Sequence, residues 1–364
     1  MINKELQSRT IAFLRLPLMV GVVLIHAHMK DVIIGGKTIF NQLDYPIYSW
    51  VTTLFSEILA TIAVPLFFIL SGYLFFYGAT FDRVAYATKL KKRARTILLP
   101  YIIWNLVVVG LYFLAQTLLP SLISGMNKPI VDYTLSDWID AFWARQTHDP
   151  ASGGMPINYP LWFIRDLMVV MVCSPIIYLC VKYLKAFGVA LLGIIWVIGF
   201  NTHIYGLSTT SFFFFSAGAL FSIHNRNMLE YLYPFRKAAT IGYVILIIGD
   251  LLTAHTAIHS YIHNMGIITG CVCAITMTAW GLQKGIWRLH PWMAGCSFFI
   301  FAFHGMPLAL IIKVCVRFIP IHNDWVAIAI YLGSTALVVS IAVMLYTFMQ
   351  RHTPRFLAWI TGGR

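Results

Sequence analysis

Long apolar segments recur from residue 10 to residue 349, separated by short charged or Gly/Pro-rich breaks, and this pattern excludes most folds. A run of about 20 predominantly apolar residues is what a helix needs to cross the hydrocarbon layer of a bilayer. Of the 364 residues, 59% are hydrophobic and 11% charged; soluble domains carry roughly 25% charged residues. The runs do not alternate polar with apolar as the strands of a membrane barrel do, so backbone groups in lipid must be satisfied within helices. The sequence therefore predicts an all-α, polytopic membrane bundle.

The breaks divide the chain into about ten expected spans, at residues 10–29, 50–78, 97–119, 159–181, 187–203, 208–223, 238–254, 263–282, 292–316 and 325–349. With the N-terminus in the cytoplasm, the inner segments collect Arg83, Lys89, Lys91, Lys92, Arg93 and Arg95 before the third span. Lys182 and Lys185, Arg236 and Lys237, Lys284 and Arg288, and Arg351, Arg355 and Arg364 follow. The outer connections hold only Lys30, Lys37, Lys128 and Arg145, with Lys313 and Arg317 near an outer end. Cytoplasmic loops are enriched in Lys and Arg, so this asymmetry predicts that both termini are cytoplasmic and that the number of spans is even. It also accounts for the net charge of +13 without a nucleic-acid partner.

No appended soluble domain and no internal repeat are expected, which makes residues 1–364 one membrane domain. The first apolar run lacks a small-residue cleavage site after His26 and is expected to remain as the first helix rather than be cleaved as a signal peptide. Cys173, Cys180, Cys271, Cys273, Cys296 and Cys315 all lie in apolar segments without a C-x-x-C pair, and read as small buried hydrophobes. In the long outer connection, residues 120–158, Leu135, Trp138, Ile139 and Phe142 recur at helical spacing, predicting a short interfacial helix.

Within the first span, Arg15 and His26 are separated by ten residues. Eleven steps of ~100° return to within about 20° of the starting direction, so both side chains share a face, ~16 Å apart along the axis. Ionisable groups inside a membrane are costly and usually serve a task, which makes this pair the candidate active centre. In the second span, Ser71 and Gly72 interrupt VPLFFILSGYLFF; they either let a neighbouring helix pack closely or leave room for a ligand. Glu57 on the same span is a carboxylate able to orient an imidazole, or to serve at a rim or in an ion pair. Arg93 and Arg95, at the mouth of the third span, have the planar fork that grips phosphates, beyond their value as a topology signal. Asp166 follows Arg165 in YPLWFIRDLMVV, and His304 ends SFFIFAFH as a packing histidine or a second polar group at the centre. His255, His259 and His263 are spaced by four, but without a local Asp, Glu or Cys they read as a solvated outer loop, and no metal site is expected.

These residues resemble the membrane-bound acyltransferase-3 family. The resemblance rests on Arg15 and His26 at the R-x10-H spacing, FFILSGY from Phe67 to Tyr73, Arg93-x-Arg95 followed by LLP, LWF from Leu161 to Phe163, and FAFH ending at His304, in the family's order. It implies an enzyme that transfers an acyl group, most often acetyl from acetyl-CoA, to a hydroxyl of a cell-surface or exported saccharide at the bacterial cytoplasmic membrane. On that reading Arg15 and His26 are the essential pair. Arg93 and Arg95, with Ser71 and Gly72, bind the acyl-CoA donor. Glu57, Asp166 and His304 support the imidazole. An acyl-histidine relay and direct transfer with His26 as base both fit the residue types. The alternative from another class is a carrier that exports a glycan or small anion, with Arg15 and Arg165 as charge-binding sites; such carriers carry paired broken helices in matching halves, which the sequence does not display.

Overall fold

The computed structural model describes residues 3–34, 37–78, 81–118, 128–145 and 154–363. Much of the expected outer connection, residues 119–127 and 146–153, and the terminal Arg364 lie outside the described residues.

The helices are α1 (Lys4–Ala27), α2 (Pro46–Phe76), α3 (Arg83–Leu118), α4 (Leu135–Trp143), α5 (Trp162–Val172), α6 (Ser174–Val197), α7 (Thr209–Ile223), α8 (Met228–Leu232), α9 (Arg236–Thr253), α10 (His259–Gln283), α11 (Pro291–Phe303), α12 (Gly305–Phe318), α13 (Asp324–His352) and α14 (Pro354–Thr361). Among the described residues the helical expectation holds apart from one hairpin, β1 (Asp31–Ile34) and β2 (Lys37–Asn41), which pair antiparallel with a register irregularity between Val32 and Ile33.

Among the described residues, α1, α2, α3, α6, α10 and α13 are long and apolar enough to cross a membrane, and α11 with α12 makes a seventh if that bent pair is one span. The protein is thus a multi-pass membrane protein, but length and apolarity alone do not reach the expected ten spans. The reasons are local. The expected sixth span is α7, only 15 residues long, and the expected seventh is α9, which carries Arg236, Lys237 and Asp250 among its 18 residues. The expected fourth is cut at Cys173, between α5 and α6, and Lys185 leaves the helical region (φ 51, ψ −134) inside α6, where lysines interrupt the apolar run.

Two long helices contain π-helical stretches. In α2 a π-helical stretch, Thr53–Leu59, contains Glu57, and in α3 another, Ala94–Leu98, contains Arg95. A π-turn inserts one residue per turn and re-aims the side chains that follow, which is why such bulges recur at functional sites. Caps close other ends: Asn323 accepts from the Val326 amide at 3.1 Å to start α13, and Thr134 forms a reciprocal capping box with Asp137 to start α4.

Two compact units result. Residues 1–22, 54–92 and 166–297 form the first, and residues 23–53, 93–165 and 298–364 the second; α1, α2, α3, α5 and α11 contribute residues to both. In the first unit α2 and α7 pack at backbone contact. A Cβ added at Gly72 would overlap the carbonyl of Phe215, and one at Gly218 that of Ile69. Gln7 ties three elements together there, donating to Tyr73 Oη at 2.5 Å and accepting from the Leu229 amide at 3.0 Å. In the second unit the buried Tyr48 holds α1's end, exchanging hydrogen bonds with Met29 at 2.8 and 3.1 Å, while its own amide donates to Asp324 at the start of α13.

Candidate functional site

The second unit contains a histidine pair. His26 stands one residue from the C-terminal end of α1. His304 is fully buried at the junction of α11 and α12, which meet at 66°. Pro307 explains the junction, because it has no amide proton and its ring collides with the carbonyl four residues back. The rings of His26 and His304 lie 5.4 Å apart at an interplanar angle of 29°. On another side of His26, Tyr159 presents its ring edge-on at 4.8 Å.

The tautomer of His304 follows from its partner. Its Nδ1 lies 3.1 Å from the carbonyl oxygen of Ile300. A carbonyl only accepts, so Nδ1 carries the proton, and in the neutral ring Nε2 is a bare lone pair. That Nε2 is buried and has no hydrogen-bond partner among the described residues. Buried polar atoms are nearly always satisfied, so an unpaired acceptor next to a second imidazole marks a place for a transferable proton or a ligand hydroxyl.

The polypeptide around the pair is held by polar groups. Asn158 Nδ2 donates to the carbonyl of Ala302 at 3.0 Å, and the Asn158 amide donates to Asn105 Oδ1 at 3.1 Å. Asn105 in turn donates to the carbonyl of Tyr101 at 2.8 Å. Both asparagines are buried. Arg165, also buried, donates through Nη1 to the carbonyls of Trp143 and Gly154, each at 2.6 Å, and lies over the Trp143 ring. It thereby pins the segment carrying α4 in a charge-assisted, stacked arrangement suited to arginine.

Of the candidate residues, the structure brings His26 and His304 into ring contact. Arg15 is partly buried on α1, eleven residues before His26, with Pro17 between them inside the same continuous helix. Glu57 is partly buried and Asp166 buried, both in the first unit and both with interaction partners. Arg93 is partly buried and Arg95 exposed, both in the second unit. Ser71 is partly buried; the space at Gly72 is filled by Phe215, so helix packing, not an open ligand niche, accounts for this glycine.

Of the histidine triplet, His255 lies exposed in the turn between α9 and α10, as expected, but the other two do not belong to a solvated loop. His259 and His263 lie on the opening turns of α10, and Asp250 of α9, only 3% exposed, takes both. His263 Nδ1 donates to Asp250 Oδ2 at 2.8 Å, and His259 Nδ1 approaches Oδ1 at 3.1 Å without hydrogen-bond alignment. The triplet has no acid close by in sequence; the helical hairpin supplies one from nine residues before His259. No metal-holding group of three such residues occurs among the described residues. Asn105, Asn158 and Tyr159 were missed as well. The available signal was Asn105 as a lone amide in the apolar run of α3 and Asn158 just before YPLWF.

A multi-pass helical membrane protein with paired histidines in its helical core is the setting in which the comparisons fall. The chain belongs to the acyltransferase-3 family, whose model, described as an acyltransferase domain, matches residues 10–347, and it is an acyltransferase. It is similar to the succinoglycan biosynthesis protein ExoH of Rhizobium meliloti (strain 1021), with 27% identity over 380 residues, covering 98% of this chain and 92% of that protein. No solved structure matches it.

Proposed function

We propose that this acyltransferase moves an acyl group, acetyl in the first instance, from acyl-CoA to a hydroxyl of a cell-surface or exported saccharide. The observation that carries the reading is the contact between His26 and His304, with the unpaired Nε2 of His304 beside it. The succinoglycan biosynthesis role in the name of its relative supports a saccharide or lipid-linked glycan as acceptor. The enzyme sits in the bacterial cytoplasmic membrane with both termini inside, in keeping with the distribution of Lys and Arg.

In the reaction the acceptor hydroxyl attacks the thioester carbonyl. A C–O bond forms, the C–S bond breaks, and the hydroxyl proton passes to His26 and then to the departing thiolate, so atoms and charge balance. Neutral imidazole is the base suited to this step near pH 7, and such a base contributes about 10²- to 10⁴-fold. His304 holds the proton-bearing partner in place, its lone pair facing the shared space. Arg15 binds a donor phosphate or stabilises the developing oxyanion. Arg93 and Arg95 take the remaining phosphates in bidentate fashion.

The test is protein in lipid nanodiscs with radiolabelled acetyl-CoA, comparing the wild type with His26→Ala for released acetate, labelled saccharide and label on the protein. Turnover that vanishes in the variant supports the reading. Equal turnover in both removes His26 from the mechanism.

A further inference from the structure

Pro307 breaks the helix at His304, and a break releases backbone carbonyls from their intrahelical partners. Two carbonyls near the break accept from side chains. That of Ile300 keeps its helical bond from the His304 amide, at 3.0 Å, and also receives His304's own Nδ1, at 3.1 Å. Ala302 is taken by Asn158 Nδ2, at 3.0 Å. Asn158 is itself fixed from behind, since its backbone amide donates to Asn105 Oδ1 at 3.1 Å, and the residue after it, Tyr159, touches the ring of His26. The segment therefore grips the helix end before His304 with one residue and meets His26 with the next.

The far side of the break is equally tight. A Cβ at Gly305 would stand 3.1 Å from Pro160 Cδ and Cγ and 3.3 Å from Tyr159 Cε1. The chain from Asn158 to Pro160 thus touches the break on both sides of His304, through a hydrogen bond at Ala302 and through van der Waals contact at Gly305.

We propose that Asn158 is a positioning residue for acyl transfer. Together with Asn105 it forms a clamp that holds the α11–α12 break in the one geometry that sets His304 against His26. The inference rests on the histidine-pair reading above. A rotation of the break displaces Nε2 of His304 relative to His26 without touching the donor site, so the clamp governs the chemical step and leaves donor affinity alone. Misplacement of a reacting group by ~1 Å costs about 10²-fold in rate.

Asn158→Asp is the informative variant. It preserves size and the backbone hydrogen bond to Asn105, and it replaces the amide donor to Ala302 with a carboxylate that repels the carbonyl. With labelled acetyl-CoA and nanodisc-embedded full-length protein, kcat should fall by about 10- to 100-fold while the donor KM stays within about twofold. Asn105→Ala should move kcat in the same direction by less. Hydrogen–deuterium exchange reads the clamp without turnover: amides of residues 298–310 should exchange faster in Asn158→Asp, and those of α9 and α10 should not. Normal kcat with unchanged exchange at the break overturns the proposal. So does a parallel loss of kcat and donor affinity with exchange rising throughout the chain, which is general destabilisation. His304→Ala separates the two levels. Full activity there sinks the histidine-pair reading itself, whereas an inactive His304→Ala beside a fully active Asn158→Asp sinks only the clamp.

Discussion

His304 lies with its ring 5.4 Å from that of His26 because the helix carrying it breaks at that residue. In an unbroken helix the apolar residues around it, from Phe298 to Phe303, would continue as lipid-facing or packing side chains. The break converts the position into a fully buried end with one ring nitrogen bonded and the other bare. Two imidazoles in contact inside an apolar bundle can pass a proton between a hydroxyl and a thiolate without exposing a charge to lipid for long.

Replacing His26 with alanine should abolish acyl transfer, by about 10² -fold or more, while the protein still inserts and expresses. Radiolabelled acetyl-CoA in nanodiscs measures this. Ordinary saccharide acylation by cells carrying only the variant would exclude His26 as the base or relay.

Gly72→Ala should lower stability and spare donor affinity. The added methyl meets the Phe215 carbonyl, and Gly218→Ala meets that of Ile69, so α2 and α7 must separate in either case. Overpacking of this kind costs about 1–3 kcal/mol, and more where backbone is the obstacle. The melting temperature in detergent is the measurement; an unchanged melting temperature with a raised donor KM would instead return Gly72 to the donor site.

Arg93→Ala should raise the donor KM and change kcat little, because a phosphate contact that is equal in ground and transition states contributes uniform binding. Unchanged donor affinity would reduce the Arg93 and Arg95 pair to a topology signal.

Asp137, at the start of α4 and outside the spans, should titrate well below an ordinary carboxyl. Lys128 Nζ, 2.6 Å away, and the hydroxyl and amide of Thr134, at 2.6 and 2.7 Å, hold it at about 2 against an ordinary 3.8. Since the folded value is the lower one, its contribution to stability is complete above pH ~4 and lost as the pH falls through about 2. A carbon-13 titration of the carboxyl in wild type and Lys128→Ala checks it. The variant should move upward, and a wild-type midpoint near 3.8 would dissolve the capping arrangement.

Much of this molecule is written locally. Apolar run length and the spacing of lysine and arginine determine that the chain is helical and membrane-spanning; the break at Lys185 falls in the charged gap between two expected spans, whereas the one at Cys173 cuts through an expected span. His26 and His304 stand out in one dimension because an ionisable side chain in a long apolar run is conspicuous whatever it touches. Ten-residue spacing also places Arg15 and His26 on one face of one helix, a purely local inference.

Only the tertiary structure decided which of these residues meet. His26 and His304 are 278 positions apart, and no helical period relates them. Asp250 reaches His259 and His263 through a hairpin of helices, and Asn158 reaches Ala302 across the unit's core. Gly72 carried an ambiguous signal, because a missing side chain serves a ligand and a neighbouring backbone equally well until the neighbour is seen. Periodicity fixes where a side chain points on its own element. Which group waits on the facing element is set by long-range packing, and that information is distributed over the whole chain.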